Sequence, residues 1–146
     1  MNLTNESSNL PAIFLPISLM PVSAGFASPI EEFEIPVLDI MEFLGINPFT
    51  RLIYVKGDSM IGDFITDDDL LIIDPTRTPI NGDIIFAKIY TEFTVKKYQK
   101  KSGRIFLIPS NSKYRPIEVT EEMEFEVRGV VTNVIHQFKK NLPCRL

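Results

Sequence analysis

The segment Gly57-Asp58-Ser59-Met60 and the later lysine Lys96 are the residues whose types best combine into a chemistry. A serine hydroxyl attacks a peptide carbonyl efficiently only when a base removes its proton, and a neutral lysine amine can act as that base. Burial favours the neutral amine because desolvation destabilises the ammonium form. Lys96 lies in the apolar segment FTVKKY, while Gly57 permits a sharp turn that exposes Ser59 and its backbone N–H. These residues are candidates for a Ser59/Lys96 dyad, with Gly57 and Met60 as candidate supports of the turn and of an oxyanion.

Other interpretations of the polar residues remain open at this point. Serine is common in turns, and a Lys-Lys pair on a strand usually marks a solvated edge. A Ser/His/Asp triad needs a histidine, and the single one, His136, lies near the C-terminus with no serine motif beside it. One histidine and one cysteine, Cys144, supply too few ligands for the usual metal sites. The run Asp67-Asp68-Asp69 lacks the ligand spacing of a calcium loop, so we expect no metal and no cofactor.

Short apolar segments predict the elements that position these residues. Strands are expected at residues 51–56, 69–74, 83–90, 93–98, 104–109 and 125–135. Asn81-Gly82 is expected to form a tight turn, and Thr91-Glu92 to join two of the strands as a hairpin. Such strands, punctuated by Gly, Asn and Pro, indicate a compact and mostly-β fold.

The N-terminal part of the chain has a different character. Its prolines, the last of them Pro36, predict an extended and loosely held arm over residues 1–36. The apolar positions from Val37 to Leu44 fit one short helix, which Gly45 would end.

Composition limits the classes of protein that fit. The formal charge of −4 and a pI near 5.0 argue against a protein that coats nucleic acid, and a single cysteine excludes an intrachain disulfide. Residues 11–27 resemble a secretory signal, but no basic residue precedes them and prolines interrupt their apolar run. No stretch approaches the ~20 apolar residues that span a bilayer. We therefore expect a cytoplasmic protein that does not contact a membrane.

Several separated motifs together resemble the catalytic core of the LexA/UmuD family of self-cleaving serine proteases. They are GDSM, DDLLIID, NGDI, EFTVKK, LIPSN and GVV in that order, preceded by AGFASP, and they cover about residues 22 to 136. Among family members, UmuD and its plasmid relatives are the nearest likeness. The resemblance implies a LexA-like C-terminal domain fold with Ser59 as nucleophile and Lys96 as general base.

The same resemblance implies a cleavage site at Ala24–Gly25, two small residues that would let an extended arm enter a narrow cleft. An Ala-Gly flexible kink without function is the alternative. We accordingly divide the chain into a removable arm (1–24), a linker with a short helix (25–45), a catalytic and dimerisation β domain (46–140) and a tail (141–146). Strand alternation favours Lys97 over Lys96 as the desolvated amine, because it shares a face with Phe93 and Val95. A twist or bulge near the site would resolve this conflict.

The resemblance further implies partners and a cellular role. Members of the UmuD type form homodimers, are stimulated to cleave by a RecA filament on single-stranded DNA, and then join a UmuC-like Y-family translesion polymerase in the SOS response. The 24 residues before Ala24–Gly25 predict no direct sequence-specific DNA binding, because they are too short for a three-helix DNA-binding head. Rival interpretations are a signal-peptidase-like enzyme, a non-catalytic module with the LexA fold, and a repressor-related regulator without a polymerase role.

Overall fold

The computed structural model of the chain describes residues 10–17, 22, 24–26 and 36–138. The chain divides into two units, Met1–Pro48 and Phe49–Leu146. The predicted tail, with Cys144, lies outside the described residues. Within the described ranges, no helix has the length and apolar composition needed to cross a bilayer.

The first unit contains a short antiparallel ladder between β1 (Phe14–Pro16) and β2 (Val37–Asp39). Backbone bonds extend the ladder beyond its ends, from Ile17 N to Pro36 O at 2.9 Å and from Ile40 N to Ile13 O at 2.8 Å. The extended backbone predicted for the arm is therefore present at residues 14–16, but it is hydrogen-bonded rather than loosely held. The remaining arm residues, apart from 10–13, 17, 22, 24–26 and 36, lie outside the described part of the chain.

The predicted helix is shorter than expected, because α1 covers only Ile40–Phe43. Its first three predicted residues belong instead to β2, whose backbone groups pair with β1. The helix begins at Ile40 because the carboxylate of Asp39 accepts a hydrogen bond from Met41 N at 3.0 Å and so caps the first turn. Gly45 follows the helix with a φ of 65°, which is the left-handed conformation that the predicted stop requires.

The described residues of the second unit, 49–138, form one antiparallel sheet of seven strands. In chain order they are β3 (Arg51–Tyr54), β4 (Leu70–Asp74), β5 (Ile84–Ile89), β6 (Glu92–Lys101), β7 (Arg104–Ile108), β8 (Ile117–Glu118) and β9 (Glu126–Ile135). Their spatial order is β3-β4-β9-β5-β6-β7-β8, so the last strand lies between β4 and β5. The predicted mostly-β fold is confirmed, and the two-residue β8 is the strand of this sheet that the sequence pattern missed.

Alternating side chains pack on both faces of the sheet. One buried cluster consists of Val55, Met60, Ile65, Leu71 and Ile73, and the other of Ile85, Ala87, Tyr98, Leu107 and Val130. The first cluster includes residues on either side of Ser59, so burial there fixes the ends of the segment that carries the serine.

Tight turns set the register between neighbouring strands. Ile89 pairs with Glu92, so the hairpin between β5 and β6 turns at Tyr90 and Thr91, one residue earlier than predicted. Gly82, with a φ of 95°, lies in the predicted turn before β5. The side chain of Asn81 fastens this turn to β6 through both the N–H and the carbonyl of Lys100.

Candidate active site

Ser59 lies in a loop, residues 57–65, that leaves β3 and re-enters the core; we call it the Ser59 loop. Gly57 has a φ of 95°, which a residue with a side chain rarely adopts, and its N–H donates to Asp67 Oδ1 at 2.7 Å. Met60 and Ile65 are buried on either side of a 3₁₀ turn. The loop is therefore anchored at its start by a hydrogen bond and further along by apolar burial, with Ser59 between the two anchors.

The amine of Lys96 contacts the serine hydroxyl directly. Lys96 Nζ donates to Ser59 Oγ at 2.8 Å, to Thr94 Oγ1 at 3.0 Å and to the backbone oxygen of Val95 at 2.9 Å. A lysine ammonium has three N–H donors, so each one has an acceptor. If the amine loses a proton, its two remaining N–H groups can still donate to Thr94 and Val95, and its lone pair then faces Ser59. Sequence reasoning did not identify Thr94 as a member of this site.

The environment of Lys96 favours its neutral form. Its side chain is partly buried, and burial lowers the pKa of its amine below the ordinary lysine value. Within the described residues, no carboxylate pairs with this amine to oppose that effect. This combination of burial and missing counter-charge is what a general base of the lysine type requires.

Lys97, which strand alternation favoured, has different surroundings. Its amine forms an ion pair with Asp63 Oδ1 at 2.9 Å, and Asp63 also accepts a hydrogen bond from the Ser110 hydroxyl. Burial alone would raise the pKa of Asp63, but the hydrogen bonds from Ser110 and Lys97 outweigh it and the pKa is lowered. Lys97 is thus held beside a carboxylate, whereas none of the described carboxylates pairs with Lys96.

The bulge invoked to reconcile alternation with a role for Lys96 is absent from this part of the sheet. The ladder between β5 and β6 runs from Ile84–Lys97 to Ile89–Glu92 without a register shift. Lys96 and Lys97 therefore extend from opposite faces of β6, yet both amines contact the Ser59 loop. Which lysine acts as base stays a prediction, now with a clear difference in charge environment between the two.

Two backbone donors lie next to the serine hydroxyl in sequence. Among the described residues, neither the N–H of Ser59 nor that of Met60 donates to any acceptor. The N–H of Gly57 is already bonded to Asp67, so Gly57 supports the turn rather than an oxyanion. Ser59 and Met60 are therefore the candidate donors for a negatively charged tetrahedral intermediate.

A segment after β7, residues 110–114, contacts the Ser59 loop at several points. Ser110 N donates to Ser59 O at 2.9 Å, and Asn111 Nδ2 donates to Asp58 O at 2.9 Å. The Tyr114 hydroxyl donates to the Asp58 carboxylate, which lowers the pKa of that carboxyl. Sequence reasoning noted the LIPSN motif only as a family likeness, and that motif was the available signal for this role.

Each carboxylate of the acidic run at residues 67–69 contacts a neighbouring protein group. Asp67 accepts from Gly57, Asp68 pairs with Lys56, and the buried Asp69 accepts from Thr66 N at 2.8 Å. His136, the residue after β9, has its Nδ1 2.6 Å from Asp69 Oδ1, so this histidine contacts a carboxylate.

The predicted cleavage site belongs to the first unit. Residues 24–26 form a bend, and Ala24 and Gly25 are both exposed. Phe26 is 89% exposed, so the side chain that follows the predicted scissile bond is not packed into a core. The bond is accessible, which is a precondition for cleavage.

Gly62 allows the closest backbone approach between the Ser59 loop and Ser110. Gly62 N donates to Ser110 O at 2.7 Å, and a Cβ at position 62 would lie 2.4 Å from that oxygen. We expect Gly62→Ala to lower the free energy of unfolding by about 1–3 kcal/mol, the usual cost of overpacking. Denaturant unfolding measures this change. Gly103→Ala is not a suitable control, because the φ of 76° at Gly103 would strain an alanine there. Ser102→Ala is the control instead. Equal changes in the free energy of unfolding for Gly62→Ala and Ser102→Ala would contradict the prediction.

Comparison with known proteins assigns the family. Residues 17–132 match the family described as Peptidase S24-like, which is most of the chain, and the protein belongs to that family. It is similar to the LexA repressor of Syntrophotalea carbinolica, with 36% identity over 119 residues that cover 81% of this chain and 58% of the relative. It is also 35% identical over 108 residues to LexA repressor 2 of Pseudomonas syringae pv. tomato, covering 70% of this chain and 54% of the relative.

A third relative, the LexA repressor of Desulfatibacillum aliphaticivorans, is 44% identical over 85 residues, which cover 57% of this chain and 42% of the relative. The chain thus spans about half the length of the curated relatives that it matches. The predicted LexA/UmuD-type family is confirmed at this level. The nearer likeness to UmuD stays a prediction, because these relatives carry the name of the repressor.

Proposed function

We propose that this chain is a self-cleaving serine peptidase in which Ser59 attacks the Ala24–Gly25 bond and Lys96 is the general base. The observation that carries the proposal is the 2.8 Å separation of Lys96 Nζ and Ser59 Oγ. Burial of the amine and the lack of a carboxylate partner among the described residues support it, because both favour a neutral lysine. Membership of a peptidase family is independent support.

In the proposed reaction, neutral Lys96 takes the proton of Ser59 Oγ as that oxygen bonds to the carbonyl carbon of Ala24. The N–H groups of Ser59 and Met60 stabilise the oxyanion that forms. The Lys96 ammonium then gives its proton to the leaving amine of Gly25 as the peptide bond breaks. A water molecule, deprotonated by the same amine, hydrolyses the ester between Ser59 and Ala24 and restores the free hydroxyl.

The first test is mass spectrometry of purified protein after alkaline incubation, with a fragment beginning at Gly25 as the expected product. A Gly25→Pro variant tests the bond itself, because proline at that position removes the amide hydrogen and restricts the backbone. We expect no fragment from it. Intact wild-type protein after prolonged incubation, or cleavage at a different bond, would contradict the proposed site.

The rate of this reaction should depend on pH in a defined direction. Only the neutral amine accepts the serine proton, so the rate should rise with pH and level off above the Lys96 pKa. Since burial lowers that pKa, the midpoint should lie below the ordinary lysine value. The measurement is the rate of Gly25-fragment formation in folded protein from about pH 6 to about pH 11, which brackets ordinary histidine and lysine values.

Two outcomes would contradict this pH dependence. A flat profile would mean that deprotonation of lysine does not limit the reaction. A midpoint near the ordinary histidine value of about 6.5 that disappears in His136→Gln would make His136 the base.

The regulation and output of the cleavage are also proposals. On the resemblance, a RecA filament on single-stranded DNA stimulates the reaction in the cytoplasm as part of the SOS response, and the chain acts as a homodimer. The truncated protein would then be an accessory subunit of a UmuC-like Y-family polymerase. The relatives are named as repressors, which favours a second output in which cleavage ends the repression of a promoter.

One binding experiment separates these two outputs. Purified protein, before and after cleavage, is titrated against a Y-family polymerase and against operator DNA. Polymerase binding that appears only after cleavage supports the accessory role. DNA binding that is lost on cleavage supports the repressor role.

A further inference from the structure

Asp63 joins three elements that together form the candidate site. It lies in the Ser59 loop, it pairs with Lys97 on β6 at 2.9 Å, and it accepts a hydrogen bond from the hydroxyl of Ser110 after β7. Its side chain is 24% exposed, and that of Lys97 is 35% exposed, so solvent screens this ion pair less than a fully exposed one.

Each of these two contacts ends next to a reacting group. Lys97 is the immediate neighbour of Lys96, so its ion pair fixes the segment of β6 that carries the proposed base. Ser110 donates its N–H to Ser59 O at 2.9 Å and accepts at its own carbonyl from Gly62 N at 2.7 Å. The Asp63 carboxylate therefore holds Ser110 where it supports the backbone of the proposed nucleophile.

We propose that Asp63 is a positioning residue, which sets the separation of Ser59 Oγ and Lys96 Nζ by clamping Lys97 and Ser110 to the Ser59 loop. The inference rests on the proposed function, because it assigns a role within the same reaction. Asp63 contacts neither reacting atom among the described residues, so its effect passes through Ser110 and Lys97. Proton transfer and attack are both sensitive to displacements on the scale of an ångström.

The test is the rate of Gly25-fragment formation at the high-pH plateau, where Lys96 is neutral in every variant. We expect Asp63→Ala to lower the plateau about tenfold to a hundredfold, the scale that small misplacements produce. Ser110→Ala should lower it as well. In the Asp63→Ala background, however, Ser110→Ala should add less than about a twofold loss, because one hydrogen bond joins the two side chains.

The pH midpoint separates positioning from a long-range charge effect. The double variant Asp63→Ala/Lys97→Ala removes one positive and one negative charge, so the local net charge does not change. The pH midpoint of the cleavage rate should therefore stay at the wild-type value, while the plateau rate falls. Glu118→Gln is the matched control, because it breaks an ion pair with Arg104 on β7 and β8, away from the Ser59 loop. Its plateau should equal that of the wild type.

Several results would overturn the inference. They are an unchanged plateau in Asp63→Ala, additive losses in the Asp63→Ala/Ser110→Ala pair, or a loss that disappears when the rate is expressed per folded molecule. If Asp63→Ala does not fold, Asp63→Asn keeps the shape of the side chain and undergoes the same comparison. Failure of wild-type protein to cleave in a Ser59-dependent way would instead contradict the proposed function.

Discussion

Replacement of Ser59 by alanine should abolish formation of the Gly25 fragment while leaving the protein folded. The hydroxyl is the proposed nucleophile, and removing the nucleophile of a serine peptidase lowers the rate by at least about a thousandfold. The fold should tolerate the change because the loop is anchored by Met60, Ile65 and the bond from Ser110 N, none of which uses the Ser59 hydroxyl. Mass spectrometry measures the fragment, and circular dichroism with thermal unfolding measures the fold.

The control for this experiment is Ser102→Ala, which removes an exposed serine hydroxyl from the turn between β6 and β7. It should cleave at the wild-type rate. A Ser59→Ala protein that still cuts at Ala24–Gly25 would exclude Ser59 as the nucleophile. Loss of both cleavage and the folded signal would point to a structural role of this side chain.

The second large effect is expected at Lys96. Lys96→Ala should also stop cleavage across the whole pH range, because no neutral amine then lies within 2.8 Å of the serine oxygen. Lys97→Ala should only reduce the rate, since that side chain is paired with Asp63 and acts on position and stability. Fragment formation in the two variants, compared at equal folded concentration, measures the difference.

The reverse pattern would assign the base to Lys97, as strand alternation alone suggests. Equal losses in both variants would mean that the pair acts through the local structure of β6. Recovery of cleavage by Lys96→Arg would also contradict the assignment, because an arginine side chain remains protonated at these pH values.

Most of the sheet was predictable from sequence because its strands are short apolar segments bounded by turn residues. The exceptions have physical causes. The residues Val37–Asp39 have a pattern that fits a helix, but their backbone groups pair with β1. Because β1 is distant from them in the chain, no local pattern reveals this pairing. The strand β8 contains only two residues, which is too short for any period to be read.

The candidate site was predictable in its residue types but not in its charge pairing. By alternation Lys97 shares a face of β6 with Phe93 and Val95, and that pattern alone would make it the better base. Its pairing with Asp63 depends on a contact between residues 34 positions apart, which no local pattern encodes. For the same reason Thr94, Ser110 and Asn111 emerged only when the chain was folded. Burial predicts a neutral lysine only where counter-charges are also known.

The central place of β9 has a consequence for biosynthesis. Ser59 lies in the loop between β3 and β4, whereas Lys96 lies on β6 in the β5–β8 part of the sheet. The strand β9 joins these two parts because it pairs with β4 on one side and with β5 on the other. During translation the two parts lack the strand that joins them until residues 126–135 have emerged from the ribosome. The serine and the amine are therefore carried by two parts of the sheet that are joined by a strand made after both of them. Under the proposed function, a nascent chain would therefore cleave itself only after β9 has been made and has paired with both parts.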